Sequence, residues 1–146
     1  MGLKPDLGKG RIALDASIFI YYIEENEQWL PVVDQIFERA RAGDQGLVAS
    51  ELTLNEVLVV PYRLGNAALA ERYEDFLERS RNLSLVPIDR ANLKHAAMLR
   101  ARYRLKGADA IQLAAALTAE CTTFITNDRK IPDIPGLRVL QLSDLR

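Results

Sequence analysis

The chain has 146 residues, of which 49% are apolar and 27% charged, a composition typical of a globular domain. Its 19 Lys and Arg residues are balanced by 20 Asp and Glu residues, so a polyanion partner would need a local basic patch. The single cysteine, Cys121, excludes an intrachain disulfide and a cysteine-rich zinc site. The N-terminus is polar and no apolar run approaches the ~20 residues of a membrane span, so we expect a cytoplasmic protein with no membrane partner.

Apolar periodicity divides the chain into alternating strands and helices. Strands are predicted in the apolar run that ends at Leu14 and at 47–49, 83–88, 122–126 and 137–142. Helices are predicted at 18–24 and 29–42, from a cap at Ser50 or Thr53 to 64, and at 66–80, 91–105 and 110–120. Gly107 is expected just beyond the fifth of these helices, at a position that favours glycine. The alternation favours a mainly parallel sheet, so we expect one α/β domain over residues 1–146, with 1–10 as a short tail.

Three aspartates stand where predicted elements meet. Asp15 closes the first strand, Asp109 opens the Ala-rich helix after Gly107, and Asp128 follows the fourth strand. Each has an ordinary structural interpretation: Asp15 as a helix cap, Asp109 with Gln112 as a capping box, and Asp128 as a turn residue. Because parallel strands end at one edge of their sheet, Asp15 and Asp128 can also meet there if their strands are neighbours.

Glu56 has unusual helical neighbours. Leu52, Val59 and Val60 lie one turn away on the same stripe, so the glutamate projects from an apolar face. A lone buried carboxylate is costly, and such groups are normally paired or bind a cation. Glu56 could still reach solvent if the helix rotates or stops at Pro61.

Considered singly, each aspartate favours its structural role, but the four acids together favour a shared site. Carboxylates that gather without a cation repel one another, and a hard divalent ion such as Mg²⁺ or Mn²⁺ relieves that repulsion through oxygen ligands. The chemistry suited to such a site is phosphodiester hydrolysis, in which a metal ion activates water and stabilises the leaving oxygen.

The chain resembles the PIN-domain nucleases, and among them the VapC-type toxins of type II toxin–antitoxin pairs. The resemblance runs from residue 12 to 142 and rests on four fragments in a fixed order. These are LDAS at 14–17, SELTLNEVL at 50–58, GADA at 107–110 and TND at 126–128. Each fragment alone is weak evidence, and the four in this order are fairly specific.

The resemblance implies a single PIN-like domain whose five-stranded parallel sheet has the order 3-2-1-4-5 and is flanked by helices. The implied catalytic and metal-binding quartet is Asp15, Glu56, Asp109 and Asp128. The implied auxiliary polar residues are Ser17, Thr126 and Asn127. The implied activity is that of a Mg²⁺-dependent endoribonuclease, with Mn²⁺ as a substitute ion and a cognate antitoxin as partner. Such toxins commonly form homodimers.

Two other functions stay open. A PIN nuclease that processes RNA or cuts structured DNA would need no antitoxin. A non-catalytic PIN-like or receiver-like module would also gather acids around Mg²⁺ at a sheet edge. A receiver needs an acidic pair after its first strand, where only Asp15 stands, and a phosphate acceptor after its third, where Asp89 stands.

Basic and apolar residues suggest where partners bind. Candidate contacts to RNA phosphates are Arg100, Arg102, Arg104, Lys106, Arg129 and Lys130, which could equally form a solvated face. Candidate residues for an antitoxin groove are Ile18, Tyr22 and Leu30. His95 is the only histidine, which excludes a two-histidine ribonuclease mechanism.

Overall fold

The computed structural model describes residues 7–146, so residues 1–6 of the expected N-terminal tail lie outside the described part of the chain. Within residues 7–146, one parallel sheet has the strand order 3-2-1-4-5, which confirms the order implied by the family resemblance. The strands are β1 (Ile12–Leu14), β2 (Leu47–Ser50), β3 (Leu83–Val86), β4 (Thr123–Thr126) and β5 (Arg138–Gln141). The helices are α1 (Ala16–Ile23), α2 (Leu30–Arg41), α3 (Leu52–Arg63), α4 (Ala67–Arg79), α5 (Arg90–Tyr103) and α6 (Gly107–Thr118).

Helices connect the parallel strands and cover both faces of the sheet, and successive side chains along each strand point to opposite faces. Ile12 and Leu14 of β1 pack into a core with α1 to α4, where the rings of Phe19 and Phe37 lie 5.6 Å apart. Ala13 points to the other face and packs with α5 and α6. Among residues 7–146, no helix is both long and apolar enough to cross a membrane.

Several element ends differ from the prediction. α1 begins at Ala16 rather than at residue 18, because the Asp15 side chain caps it. β3 ends at Val86, directly before Pro87, which has no backbone N–H to donate to a ladder. β5 ends at Gln141, and the 3-10 helix Leu142–Leu145 that follows it was not predicted.

The predicted role of Gly107 at the end of a helix is wrong. α5 already ends at Tyr103, and Arg104 adopts the left-handed conformation with φ of 54°. This backbone geometry, which glycine usually supplies, breaks the helix before Gly107 is reached. Gly107 is instead the first residue of α6, which brings Asp109 into the first turn of that helix.

The start of α3 depends on Ser50 and not on Thr53. The Ser50 hydroxyl accepts a hydrogen bond from the Leu52 backbone N–H at 3.1 Å, whereas Thr53 is fully buried inside the helix. Pro61 does not end the helix, which continues to Arg63 with the proline ring packed inward.

The central strand fixes the position of the candidate site. β1 pairs with β2 on one side and with β4 on the other, and Leu14 lies opposite Ile125. Asp15 therefore follows the strand at the middle of the sheet, and Asp128 follows its neighbour. As predicted for neighbouring parallel strands, the two acids lie at one edge.

Candidate functional site

Asp15 is held by hydroxyl groups on both of its oxygens. Its Oδ1 accepts hydrogen bonds from the Ser17 backbone N–H at 3.0 Å and from the Ser17 hydroxyl, and its Oδ2 accepts one from the Thr126 hydroxyl. The predicted helix cap is thus confirmed, and the cap leaves the carboxylate at the edge of the sheet. Burial raises the pKa of Asp15 above its ordinary value, although the bonds from Ser17 and Thr126 act in the opposite direction.

Thr126 connects two of the acids. The same hydroxyl that donates to Asp15 accepts a hydrogen bond from the Asp128 backbone N–H at 3.0 Å. Thr126 itself is fully buried at the end of β4, and its hydroxyl bridges the side chain of Asp15 and the backbone of Asp128. The two predicted auxiliary residues Ser17 and Thr126 therefore position Asp15 directly.

Glu56 reaches the same edge from α3. Its Oε1 accepts a hydrogen bond from Nε2 of Gln112, which projects from α6. Burial raises the pKa of Glu56, as do the negative charges of Asp15 and Asp109, while the Gln112 bond lowers it. These interactions show that Glu56 lies within electrostatic reach of the aspartates.

The apolar stripe around Glu56 does not face the core as expected. Val59 and Val60 are 45% and 47% exposed, and Glu56 itself is half-buried. The reason is that α3 packs inward through Val57, Leu58 and Pro61, so the stripe beside Glu56 borders solvent.

Asp109 lies in the first turn of α6, where the helix dipole favours a negative charge. Burial raises its pKa, and so do the nearby carboxylates of Asp128 and Asp15, whereas Lys106 and Lys130 lower it. The predicted capping box with Gln112 is wrong: the residue before the helix is Lys106, and the Gln112 side chain binds Glu56 instead.

Hydrogen bonds to its side chain and to its backbone carbonyl hold Asp128 in the loop after β4. Its Oδ1 accepts a hydrogen bond from the Lys130 backbone N–H at 2.9 Å, as expected of a turn residue. Its carbonyl oxygen accepts one from Gln141 Nε2 at 3.1 Å. The side chain of the third predicted auxiliary residue, Asn127, donates to the Tyr21 hydroxyl at 3.1 Å.

The four predicted acids are thus brought to one edge of the sheet. The amides of Gln112 and Gln141 and the hydroxyls of Ser17 and Thr126 lie among them. Hard oxygen ligands of this kind match the preference of Mg²⁺ and Mn²⁺, and a cation would relieve the repulsion that, together with burial, raises the pKa of Glu56 and of Asp109. Among residues 7–146, no three His, Cys, Asp or Glu side chains are already close enough together to hold an ion. The donor set therefore fits a hard cation in its chemistry, and binding would have to draw the carboxylates together.

The six candidate basic residues divide into two groups. The first group lies near the acids. Lys106 and Lys130 lower the pKa of Asp109 through their charges. Arg100 lies beside the start of α6, with a guanidinium nitrogen 3.9 Å from the position that a Cβ on Gly107 would occupy. The other three are placed differently: Arg102 lines a groove with His95, Arg104 turns the chain after α5, and Arg129 donates to Ser143.

Sequence reasoning missed two residues and misplaced one. Gln112 and Gln141 contact the acidic site, and only the tertiary fold brings them there.

Ile18 was expected in a surface groove but is fully buried in the core. Tyr22 and Leu30 do line a groove, of about 610 Å³, together with Asp34 and Arg72. Asp89, which stands where a receiver-like module would have its phosphate acceptor, caps α5: its Oδ1 accepts a hydrogen bond from the Asn92 backbone N–H at 2.8 Å.

A sequence profile of the PIN domain matches residues 12–137, which is most of the chain. The chain belongs to the PIN domain family. No curated protein matches it significantly over its sequence.

Solved structures share the fold of this PIN domain. A toxin-antitoxin complex from Klebsiella pneumoniae is similar at 22% identity and a TM-score of 0.65, covering 86% of this chain and 94% of that one. VapBC2 from Rickettsia felis, bound to a DNA fragment from its promoter, is similar at 16% identity and a TM-score of 0.68, covering 89% and 97%. FitAcB from Neisseria gonorrhoeae is similar at 19% identity and a TM-score of 0.63, covering 90% and 98%.

The raised pKa values of Asp15, Glu56 and Asp109 predict that the metal-free protein gains stability as the pH falls from 7 towards 5. A carboxyl whose folded pKa is raised binds its proton more tightly in the folded state. Its contribution is therefore fully present below the unfolded pKa and is lost as the pH rises through the folded pKa. The slope is at most about 1.4 kcal/mol per pH unit for each proton gained.

Urea unfolding in the presence of a chelator measures this slope across the same pH range. The Glu56→Gln variant serves as the control, because it removes one of the three groups and should flatten the curve. A midpoint that stays constant, or falls, between pH 7 and pH 5 would contradict the electrostatic description of the site.

Proposed function

We propose that this PIN domain is a divalent-metal-dependent endoribonuclease and the toxin of a toxin–antitoxin pair. The observation that carries the proposal is the convergence of Asp15, Glu56 and Asp109 at the carboxyl edge of the sheet, where burial and the charge of Asp15 together raise the pKa of both Glu56 and Asp109. Such a group of partly buried acids with raised pKa values is typical of functional sites, and its oxygen donors suit Mg²⁺ or Mn²⁺.

The acids and the hydroxyl residues of the site would have different roles. Asp15, Asp109 and Asp128 would hold the ion, directly or through water, and Glu56 would complete the ligand set or orient the attacking water. Ser17 and Thr126 keep the Asp15 carboxylate in one orientation. When bound, a divalent ion supplies an activated water and charge stabilisation at the scissile phosphate.

RNA is the proposed substrate, and Lys106 and Lys130 are the proposed phosphate contacts. Their charges already act on Asp109, so a phosphate placed beside the acids lies within their reach. They would offset the repulsion between an anionic strand and the acidic site. Cellular RNA as the substrate would require a cytoplasmic location, which is part of the proposal.

The similarity to toxin-antitoxin complexes supports an antitoxin partner, with the groove beside Tyr22 and Leu30 as its proposed site. A homodimer is proposed on the apolar surface at the end of α3. Tyr62 and Leu64 there are 63% and 70% exposed, beside Val59 and Val60, and apolar surface of this kind is usually covered by a partner. Light scattering on the purified chain tests the dimer.

The Asp15→Asn substitution should lower metal-dependent cleavage of single-stranded RNA by at least about 100-fold, because ligation of the ion contributes several kcal/mol to the transition state. Asn can still cap α1, so the thermal melting temperature should stay close to that of the wild type. Cleavage of a labelled RNA, with a DNA of the same sequence in parallel, measures the effect and the preference for RNA.

Asp89→Asn is the matched control. Asp89 also caps a helix through a backbone N–H, yet it lies outside the acidic cluster, so this variant should cleave at the wild-type rate. Metal-dependent cleavage retained in Asp15→Asn, or lost equally in Asp89→Asn, would reject the assignment.

Replacing Lys106 and Lys130 by Ala should weaken RNA binding regardless of sequence. Each lost phosphate contact should lower the slope of log K against log salt concentration by about 0.7 for a single strand. Fluorescence anisotropy in the Asp15→Asn background measures this without cleavage of the probe.

Arg79→Ala is the control for charge alone, because Arg79 ends α4 next to the start of β3, at the opposite edge of the sheet. An unchanged salt slope in the double lysine variant, or an equal change in Arg79→Ala, would rule out the proposed phosphate contacts.

A further inference from the structure

We propose that Gln112 is a positioning residue for Glu56, which it holds from the neighbouring helix in the orientation that the acidic site uses. The inference rests on the proposed function and adds to it a residue on a helix face that sequence patterns treat as core. It is carried by one contact, in which Gln112 Nε2 donates to Glu56 Oε1 across the α3–α6 interface.

The surroundings of Gln112 make this contact unusual. Its side chain is 5% exposed, and its neighbours Leu113, Ala114 and Ala115 on α6 are fully buried. A polar amide in such a place is costly unless it is hydrogen-bonded, and an apolar residue would pack there without that cost. The contact with Glu56 accounts for a glutamine at this position.

Helical spacing places Gln112 beside the acids. It stands three residues after Asp109, so the two side chains share one face of α6. The helix thus presents one acid and, a turn later, one amide to the same edge of the sheet. Asp109 and Glu56 repel each other, and the amide holds Glu56 in place despite that repulsion.

A neutral donor suits this position. A lysine or arginine would place a positive charge where a cation is expected to bind, and another acid would add to the repulsion among the carboxylates. The amide binds one oxygen of Glu56 and leaves Oε2 for a water or an ion. Residues that orient ligands in this way typically affect metal affinity by about 10- to 100-fold.

Gln45 is a matched control within the same chain. It is also a buried glutamine, 4% exposed, and its Nε2 donates to the carbonyl oxygens of Leu7, Gly8 and Gly10, at 2.7 Å for Gly10. It precedes β2, at the edge of the sheet opposite the acids. Loss of its amide therefore removes comparable buried hydrogen bonds without touching Glu56.

The test is calorimetric titration of the full chain with MnCl₂, which reports on the site without requiring catalysis. Gln112→Met should weaken Mn²⁺ binding by about 10- to 100-fold, and Gln45→Met should leave it within about twofold of the wild type. Gln112→Asn is the second variant, for use if Gln112→Met folds poorly. Its side chain keeps an amide but is one methylene too short to reach Glu56, so it should also weaken Mn²⁺ binding.

A double-variant comparison separates positioning from general packing. If Gln112 acts through Glu56, the pair Gln112→Met and Glu56→Gln should bind Mn²⁺ no more weakly than Glu56→Gln alone. Losses that add in full, or Gln112 variants that bind like the wild type while Glu56→Gln binds weakly, would overturn the inference and leave the proposed function intact. A wild-type chain that binds no Mn²⁺ would reject both.

Discussion

The structure of the site depends on holding one charged and partly buried group, the Asp15 carboxylate, in a fixed position. Asp15 follows the central strand and is partly buried, and this burial raises its pKa, so its charge is costly unless both oxygens accept hydrogen bonds. Ser17 and Thr126 supply them, and Thr126 at the same time holds the backbone of Asp128. The cap of α1, the end of β4 and the loop carrying Asp128 are therefore parts of one hydrogen-bonded unit.

The other acids are added to this unit from the helices. Asp109 enters in the first turn of α6 and Glu56 from α3, and their charges oppose one another. The Gln112 amide and the charges of Lys106 and Lys130 moderate this repulsion, and within residues 7–146 no buried ion pair neutralises it. Such an arrangement keeps the negative charge available for a cation and places positive charge where an anionic strand would approach.

Strand order and the location of the acids could be predicted from the sequence, the order through the family resemblance and the location through the ends of apolar runs. These features depend on local pattern: Asp15 and Asp128 directly follow strands that parallel pairing aligns. The contacts that hold the acids could not be predicted. Gln112 meets Glu56 from 56 residues away, and Ile18 could be distinguished as core or groove only once α1 was packed. Arg104 ended α5 through a backbone conformation that its side chain does not signal.

The central claim is that Asp15, Asp109 and Asp128 share a divalent cation. Anomalous diffraction from crystals grown with Mn²⁺ tests it most directly, because the ion is located independently of any activity. If the aspartates share an ion, one strong peak is expected at the carboxyl edge of the sheet, at bonding distance from oxygens of at least two of them. A site without a peak at these carboxylates, in crystals that bind Mn²⁺ elsewhere or nowhere, would contradict it.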